Sequence, residues 1–446
     1  MKIISIIMVL LCCILMFVVK RECKASLLIV GTILFTLVKV PTIPFHSANM
    51  LLSLAFLLSE IGNLPKLMKT AKKSIVWKLM GVALLMFVIT VLASPHLHDF
   101  AAIRLFFQSE LFFKYFALLY AFWTFGPEES IRPTLRVTFY AMLILTLFGF
   151  LNLITKSADF VNAMMAGNDK SIILGGLAGN EAGQMFAEKE RFRVQAMFIN
   201  PFDYGYACIL MLLLHIYGFI NKYEKKEKFL MVVICAVFGI VFCGCRTNIF
   251  CALIGMLVFF LFAFKLKKSI RLLLIFVSVA VLCYFYIPSV QETVDNMMTM
   301  FDKNSDVSGS SMEMRTLQYA AVLYHVQDNP MFGCGYNYFN IDLGWGQGKE
   351  YLLDPRLAGL EGVVMGYILE RGFVGLFLYF LFYITIFIYF IKNRKSSPKV
   401  IAFGISVLCI YLTFANMTGE LLSVYPTLLL LGYVFKVISI SRMENI

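Results

Sequence analysis

Long apolar stretches alternate with short polar interruptions along the whole chain. Apolar runs of spanning length fall near residues 3–19, 25–40, 79–94, 100–125, 134–155, 199–220, 229–243, 247–264, 272–288, 372–391, 400–416 and 421–438, with a weaker one near 48–61. Each run is read as an α-helix, because a segment in lipid must satisfy its own backbone N–H and C=O groups. The pattern predicts an all-α polytopic membrane protein with 12–13 transmembrane helices, forming one integral domain over residues 1–446. A β-barrel would show alternating segments of roughly 10 residues instead. The first run is followed by Lys20 and Arg21 rather than a small-residue cleavage site, so an uncleaved helix is expected.

The interruptions set the orientation. Lys66, Lys69, Lys72, Lys73 and Lys78 mark one basic loop, and Lys222, Lys225, Lys226 and Lys228 a second. Lys265, Lys267, Lys268 and Arg271 mark a third, and Lys392, Arg394, Lys395 and Lys399 a fourth. All four fit one alternating topology with these loops cytoplasmic. That topology puts extracytoplasmic loops at about 156–198 and 289–371 and the C-terminus inside; the N-terminal side stays open, since 12 and 13 helices give opposite answers.

Composition agrees. The chain is 60% hydrophobic and 15% charged, with a mean hydropathy of +0.81, too apolar for a soluble protein of this size. The formal charge of +12 would suit nucleic acid, but its location in short interhelical loops assigns it to topology, and no nucleic-acid partner is predicted. Most of the 11 cysteines lie inside apolar runs, no CxxC pair occurs, and Cys243 and Cys245 are poorly spaced for a mutual bridge, so no structural disulfide is expected.

The largest polar interruption is acidic: residues 289–358 hold nine Asp or Glu against four Lys or Arg. Ser310-Ser311-Met312-Glu313 fits a capping box, Leu317, Ala321 and Tyr324 repeat at helical spacing, and Asp328-Asn329-Pro330 ends the pattern. This predicts a short helix on the membrane surface or over the bundle. Phe332-Gly333-Cys334-Gly335-Tyr336 then predicts a tight turn.

Candidate chemistry lies mostly on the outer side. Arg246 follows Cys243-Gly244-Cys245 at the outer end of a tight helical hairpin. Such an Arg either snorkels to the border or, being on the side the positive-inside rule disfavours, contacts an anion at a helix N-terminus. Arg191 and Arg193 precede Asn200-Pro201-Phe202-Asp203, a helix start with polar groups; loop charge and substrate contact are both open for them. Arg315 sits in the first turn of the loop helix, against the macrodipole, which favours a specific partner. Three guanidinium groups on one face suit a diphosphate, whose oxygens they grip in bidentate fashion. Glu361 and Glu370, nine residues apart in the segment that returns to the membrane, would point to opposite sides of one helix. Glu361 is the better placed to accept a proton from a sugar hydroxyl. The loop aromatics Tyr336, Tyr338, Phe339, Trp345 and Tyr351 either stack on sugar rings or form an interfacial belt. His96, His98, His215 and His325 are scattered. With no HExxH, DxD or P-loop pattern in the sequence, neither a metal nor another cofactor is predicted.

Taken in order, these residues resemble a known family. An Arg-x4-Phe-x-Asn-Pro element (Arg193 to Pro201) precedes the Gly244-Cys245-Arg246 turn, Arg315, and Asn329-Pro330-Met331-Phe332-Gly333-Cys334-Gly335. Glu370-Arg371-Gly372-Phe373-Val374-Gly375 follows, with a polar residue eleven before Gly372. The set resembles the O-antigen ligase and O-antigen polymerase superfamily of bacterial envelope glycosyltransferases. The ligases typically carry His-Asn at the position eleven before that Gly; here it is Glu361-Gly362, which tilts the resemblance towards a polymerase. The resemblance implies a multi-pass protein of the bacterial cytoplasmic membrane that acts, without cofactor, on undecaprenyl-diphosphate-linked oligosaccharides. Arg246 and Arg315 would grip the diphosphate, Glu361 would take the catalytic His position, and Arg191, Arg193, Asn200, Asp203, Tyr336 and Tyr338 would line the substrate site. The lipid bilayer is the other expected partner, and a chain-length-regulating protein is a candidate. A ligase moving glycan to a lipid-A core or a protein, and a lipid-linked oligosaccharide flippase, are the rival expectations. Helix interiors that look nearly free of charge, Lys39, Arg104, Glu110 and Lys114 apart, argue against the flippase.

Overall fold

A computed structural model describes residues 2–34, 48–63, 74–95, 114–124, 130–156, 193–198, 200–286, 312–343, 354–357, 362–395, 397–419 and 424–443, with single positions between these ranges. The predicted apolar runs become α1 (Lys2–Val18), α2 (Arg21–Leu34), α3 (Ala48–Ser59), α4 (Ile75–Ala93), α5 (Phe116–Thr124), α6 (Ile131–Thr155), α7 (Pro201–Ile220), α8 (Lys226–Phe242), α9 (Arg246–Ala263) and α10 (Leu266–Tyr286). The polar loop holds α11 (Met312–His325) and the short α12 (Tyr338–Ile341); then come α13 (Val363–Lys392), α14 (Pro398–Thr418) and α15 (Val424–Met443). Among the described residues, seven of these helices are long and apolar enough to cross a membrane: α4, α6, α7, α9, α13, α14 and α15. The protein is an all-α, multi-pass membrane protein.

Helix α7 is the axis of the bundle. Its sequence is apolar on all sides, and 89% of its spanning window is buried, so α6, α8, α9 and α14 surround it. Outward-facing Leu147, Ile154 and Phe377 are exposed, which suits side chains that meet lipid rather than water. At one end of the bundle the polar loops are held together by backbone capping. Lys399 Nζ donates to Ile220 O at 3.3 Å, and the Arg394 guanidinium lies 4.9 Å from the Phe262 ring. Three of the four basic loops therefore share one end, as the charge pattern predicts; most of the 66–73 loop lies outside the described residues.

Two expectations need correction. The interior is less free of charge than the sequence suggests. Lys24 pairs with Glu60 at 2.7 Å, both buried, and Arg371 is 7% exposed. Lys24 also donates to Ser59 O and Oγ, so its ammonium is satisfied where water is absent. The second concerns α13. Its apolar run predicts a start at 372, and the helix breaks at Gly372, but a first helical part precedes the break from Val363, where Glu370 and Arg371 lower the hydropathy. The opposite-faces reading involves Glu361, which lies outside the described residues.

The feature that joins the loop to the bundle is a break in α13. Gly372 has φ 61° and ψ −165°, far from helical values. An unbroken helix would pair the N–H of Phe373 with Leu369 O and that of Val374 with Glu370 O. Instead, the loop after α11 is inserted between the two halves. Cys334 N–H donates to Leu369 O (2.8 Å) and Gly335 N–H to Glu370 O (3.1 Å), while Phe373 and Val374 N–H donate to Pro330 O and Met331 O, each at 3.0 Å. Four bonds replace two. Gly333 (φ 74°) and Gly372 face each other so closely that a Cβ on Gly333 would sit 2.6–2.8 Å from the backbone of Leu369, Arg371 and Gly372. A Cβ on Gly372 would overlap Met331 and Phe332. The Asn-Pro-x-Phe-Gly-x-Gly and Glu-x-Gly-x-x-Gly strings are thus two halves of one joint.

Gly333→Ala and Gly372→Ala are each expected to destabilise the detergent-solubilised protein by about 2 kcal/mol or more, from the positive φ and the backbone overlap. Gly81→Ala in α4, where nothing lies within 4 Å of the added Cβ, should instead be neutral or raise stability by about 1 kcal/mol. Thermal unfolding of the three variants checks this; equal melting temperatures for all would refute the joint.

Candidate functional site

The end of the bundle away from the basic loops is built on the start of α7. Asn200 caps that helix: its Oδ1 accepts from Asp203 N–H at 2.8 Å, and its Nδ2 donates to Asp203 Oδ2 at 3.0 Å. Pro201 fills the first helical position, where a missing N–H costs nothing. Both predicted polar residues therefore hold the helix start, and Asp203 is buried. Asn248 of α9 donates to Phe202 O at 3.0 Å, locking the two helix starts side by side.

Arg193 and Arg246 meet at the α8–α9 turn. Val194 N–H donates to Phe242 O at 3.0 Å, laying the segment before α7 along the end of α8. The Arg193 stem then crosses Gly244 (φ 63°), where a Cβ would be 3.2 Å from its Cγ. Glycine is needed there both for the left-handed turn and for the passing side chain. Arg246 is the first residue of α9, and the two guanidinium groups are within electrostatic reach of each other. Two cations at a helix N-terminus whose cap residue, Cys245, turns its Sγ to Cys243 O instead of the helix N–H groups give a locally positive surface.

Arg315 approaches the same end from another element. Its Nη2 donates to Met417 O, a C-terminal carbonyl in the last turn of α14, at 2.9 Å. Helices α9 and α14 run antiparallel, with Cys251 Sγ against Ile410 O. The start of α9 and the last turn of α14 are therefore at one end. Gly362 (φ 97°) also touches that turn: a Cβ on it would be 2.9 Å from Asn416 O. Residue 362 and Arg315 thus share the end of α14. Glu361, next to Gly362, and Arg191 lie outside the described residues.

The two predicted tyrosines are held by protein contacts. Tyr336 N–H donates to Ser94 Oγ, and its ring packs 4.2 Å from that of Phe106. Arg371 lies over the Tyr367 ring at 4.6 Å, with Phe106 and Tyr336 on its other sides. Lys114, also buried, approaches the same Tyr367 ring at 5.9 Å. Cation–π contacts of this kind contribute about 2 kcal/mol when desolvated.

Tyr338 belongs to a cluster that no sequence pattern brings together. Its hydroxyl bonds His325 Nδ1 at 3.2 Å, and His325 Nε2 bonds Asp354 Oδ2 at 3.0 Å. Arg356 closes the set with a two-pronged grip on Asp354, at 3.0 Å from Nε and 2.8 Å from Nη2. The Arg356 hydrogen bonds, helped by His325, hold the Asp354 carboxyl well below the usual carboxylate range. Burial pushes the Tyr338 hydroxyl up, with Cys334, Asp342 and Asp354 adding to the effect. The cluster fastens residues 354–357 to α11. No sequence motif announces it, because His325 and Asp354 are far apart in the chain.

Residues 230–380 match the family model described as O-Antigen ligase. Over that segment, about a third of its length, the chain is similar to the O-antigen ligase family. Members of the superfamily are glycosyltransferase-like membrane enzymes. The matched segment holds Arg246, Arg315, the loop wedge and the Gly372 break, and leaves Arg193, Asn200 and Asp203 outside it. No curated protein matches the chain.

Because its folded-state value is depressed, Asp354 contributes stability that is complete at neutral pH and is lost only as pH falls below about 4 and through its own lower value. Hydrogen exchange at 354–357, corrected for intrinsic rates, should stay constant from pH 7 to pH 5. Asp354→Asn should raise it roughly tenfold throughout, as a charge-assisted bond is lost. Exchange that is unaffected by the substitution would refute the fastening role.

Proposed function

We propose that this protein is a polysaccharide polymerase that joins undecaprenyl-diphosphate-linked oligosaccharide repeat units on the outer face of the bacterial cytoplasmic membrane. The observation that carries the reading is the meeting of Arg193 and Arg246 at the α8–α9 turn, on the bundle end away from the basic loops. A diphosphate headgroup delivered from lipid would be met there by two guanidinium groups and a helix N-terminus.

In the proposed reaction a hydroxyl oxygen of the incoming lipid-linked unit attacks the anomeric carbon of the growing glycan. The bond from that carbon to the diphosphate oxygen breaks, and undecaprenyl diphosphate leaves with the electron pair. Arg246 and Arg193 stabilise the charge that develops on the leaving group, where a low dielectric strengthens such contacts. Glu361 takes the hydroxyl proton as general base. Arg315, bonded to the end of α14, holds that helix end and the residue beside Glu361 in one place. Asn200 and Asp203 set the direction of α7, and Tyr336 and Tyr338 order the loop that borders the glycan path. Glu361-Gly362, at the position where ligases typically carry His-Asn, favours polymerase over ligase.

The test supplies purified protein with synthetic lipid-linked repeat units. A ladder of lengthened glycans is expected, reduced about 100-fold or more by Arg246→Ala, and strongly reduced by Arg315→Ala and Glu361→Gln. Offering a lipid-A core in place of the second repeat unit separates the activities: a single transfer to that acceptor, with no ladder, identifies a ligase. Full activity in all three variants sinks the site assignment, and movement of labelled unit across the bilayer without chain growth points to a flippase.

A further inference from the structure

The opposite end of the bundle holds a second feature that this reaction does not use. A cavity of about 450 Å³ opens where the end of α7, the start of α14 and the end of α15 meet. Its polar side is formed by Ser397, Lys399 and the tyrosines Tyr217 and Tyr433, whose hydroxyls are 3.2 Å apart. Its apolar side is formed by residues such as Val437 and Ile440. That volume falls within the range of small-molecule sites, and the split lining fits a ligand with one polar and one apolar end.

The electrostatics of the cavity have one sign. Lys399 stands in the first turn of α14, where a cation opposes the helix dipole and is locally unfavourable. The Ser397 side chain does not cap that helix, so its positive end adds to the field. Lys392, Arg394 and Lys395 precede it in the adjoining turn, all exposed, and Lys222 follows Asn221 of the lining. Among the described residues no carboxylate lines the cavity. Lys399 Nζ is held to Ile220 O, which fixes the ammonium at the rim instead of leaving it to swing in solvent.

We infer that this cavity is a binding site for an anionic glycerophospholipid of the surrounding membrane, with the phosphate at Lys399 and the α14 N-terminus and an acyl chain along Val437 and Ile440. Charge complementarity selects the headgroup, and the apolar wall selects a lipid over a free anion. The site lies at the bundle end remote from the proposed reaction and stands independently of it. It ties α7, α14 and α15 together at the membrane border.

The experiment uses the full chain in nanodiscs of phosphatidylcholine with or without phosphatidylglycerol, followed by native mass spectrometry of lipid retained after extraction. Wild-type protein is expected to retain phosphatidylglycerol in preference to phosphatidylcholine. Lys399→Gln should weaken that retention about fivefold, the effect of one basic contact near the membrane surface. Val437→Trp, which fills the apolar side, should abolish it. Thermal unfolding in pure phosphatidylcholine reports whether either variant is misfolded; should Val437→Trp fail to fold, the Lys399→Gln result decides. Equal retention of both lipids, or unchanged retention in Lys399→Gln, overturns the proposal. So does complete displacement of the lipid by millimolar inorganic phosphate, which would mark a site for free anions.

Discussion

A membrane helix interrupted in mid-course leaves backbone groups that lipid cannot satisfy, each at a cost of roughly several kcal/mol. The break at Gly372 is possible because another part of the chain supplies the missing partners. Pro330 and Met331 offer carbonyls, Cys334 and Gly335 offer amides, and the two glycines remove the side chains that would keep the segments apart. Everything on the loop side depends on this exchange. It fixes where α11 begins its approach to α14, and so where Arg315 reaches Met417. It also sets the direction of residues 363–371, and so the position of Gly362 beside the same helix end.

The opposing end follows a different logic. There, short basic turns are tied down by helix caps and by contacts such as Lys399 to Ile220 and Arg394 to Phe262. The bundle is therefore polarised in its chemistry. One end concentrates amines in tight turns, and the other places guanidinium groups at helix termini among backbone joints. Helix α7 spans both, capped by Asn200 at one end and bonded by Lys399 at the other.

Much of this was legible from residues alone. Runs of apolar residues located the seven helices of spanning length among the described residues, and clustered lysines foretold a shared basic end. The helix start at Asn200-Pro201 was also readable, since a cap and a first-turn proline act locally. Contacts between distant residues were not readable in the same way. The Gly333–Gly372 joint appears in sequence as two glycine-rich strings, and only backbone pairing across them explains both. His325 looked like one of several scattered histidines, because its partner Asp354 comes from the far side of the loop. Arg371 appeared in sequence only as part of the Glu370–Gly375 string. In the fold it is buried with its guanidinium over Tyr367, in the part of α13 before Gly372 that the apolar run did not include.

The wedge at Gly372 has a consequence for how such a protein can diversify. Its bonds are all between main-chain atoms, so they are indifferent to most side chains on either partner. Gly333 and Gly372 are constrained by contact with each other's segment, and Gly335 (φ 103°) by Pro95, 2.7 Å from where its Cβ would lie. Beyond the contacts of Arg315, Tyr336 and the His325–Asp354 cluster, loop side chains can change without loosening this main-chain seat. The wedge thus acts as a mounting plate on a fixed frame, and side chains that make no bond there can change while the frame goes on folding as before.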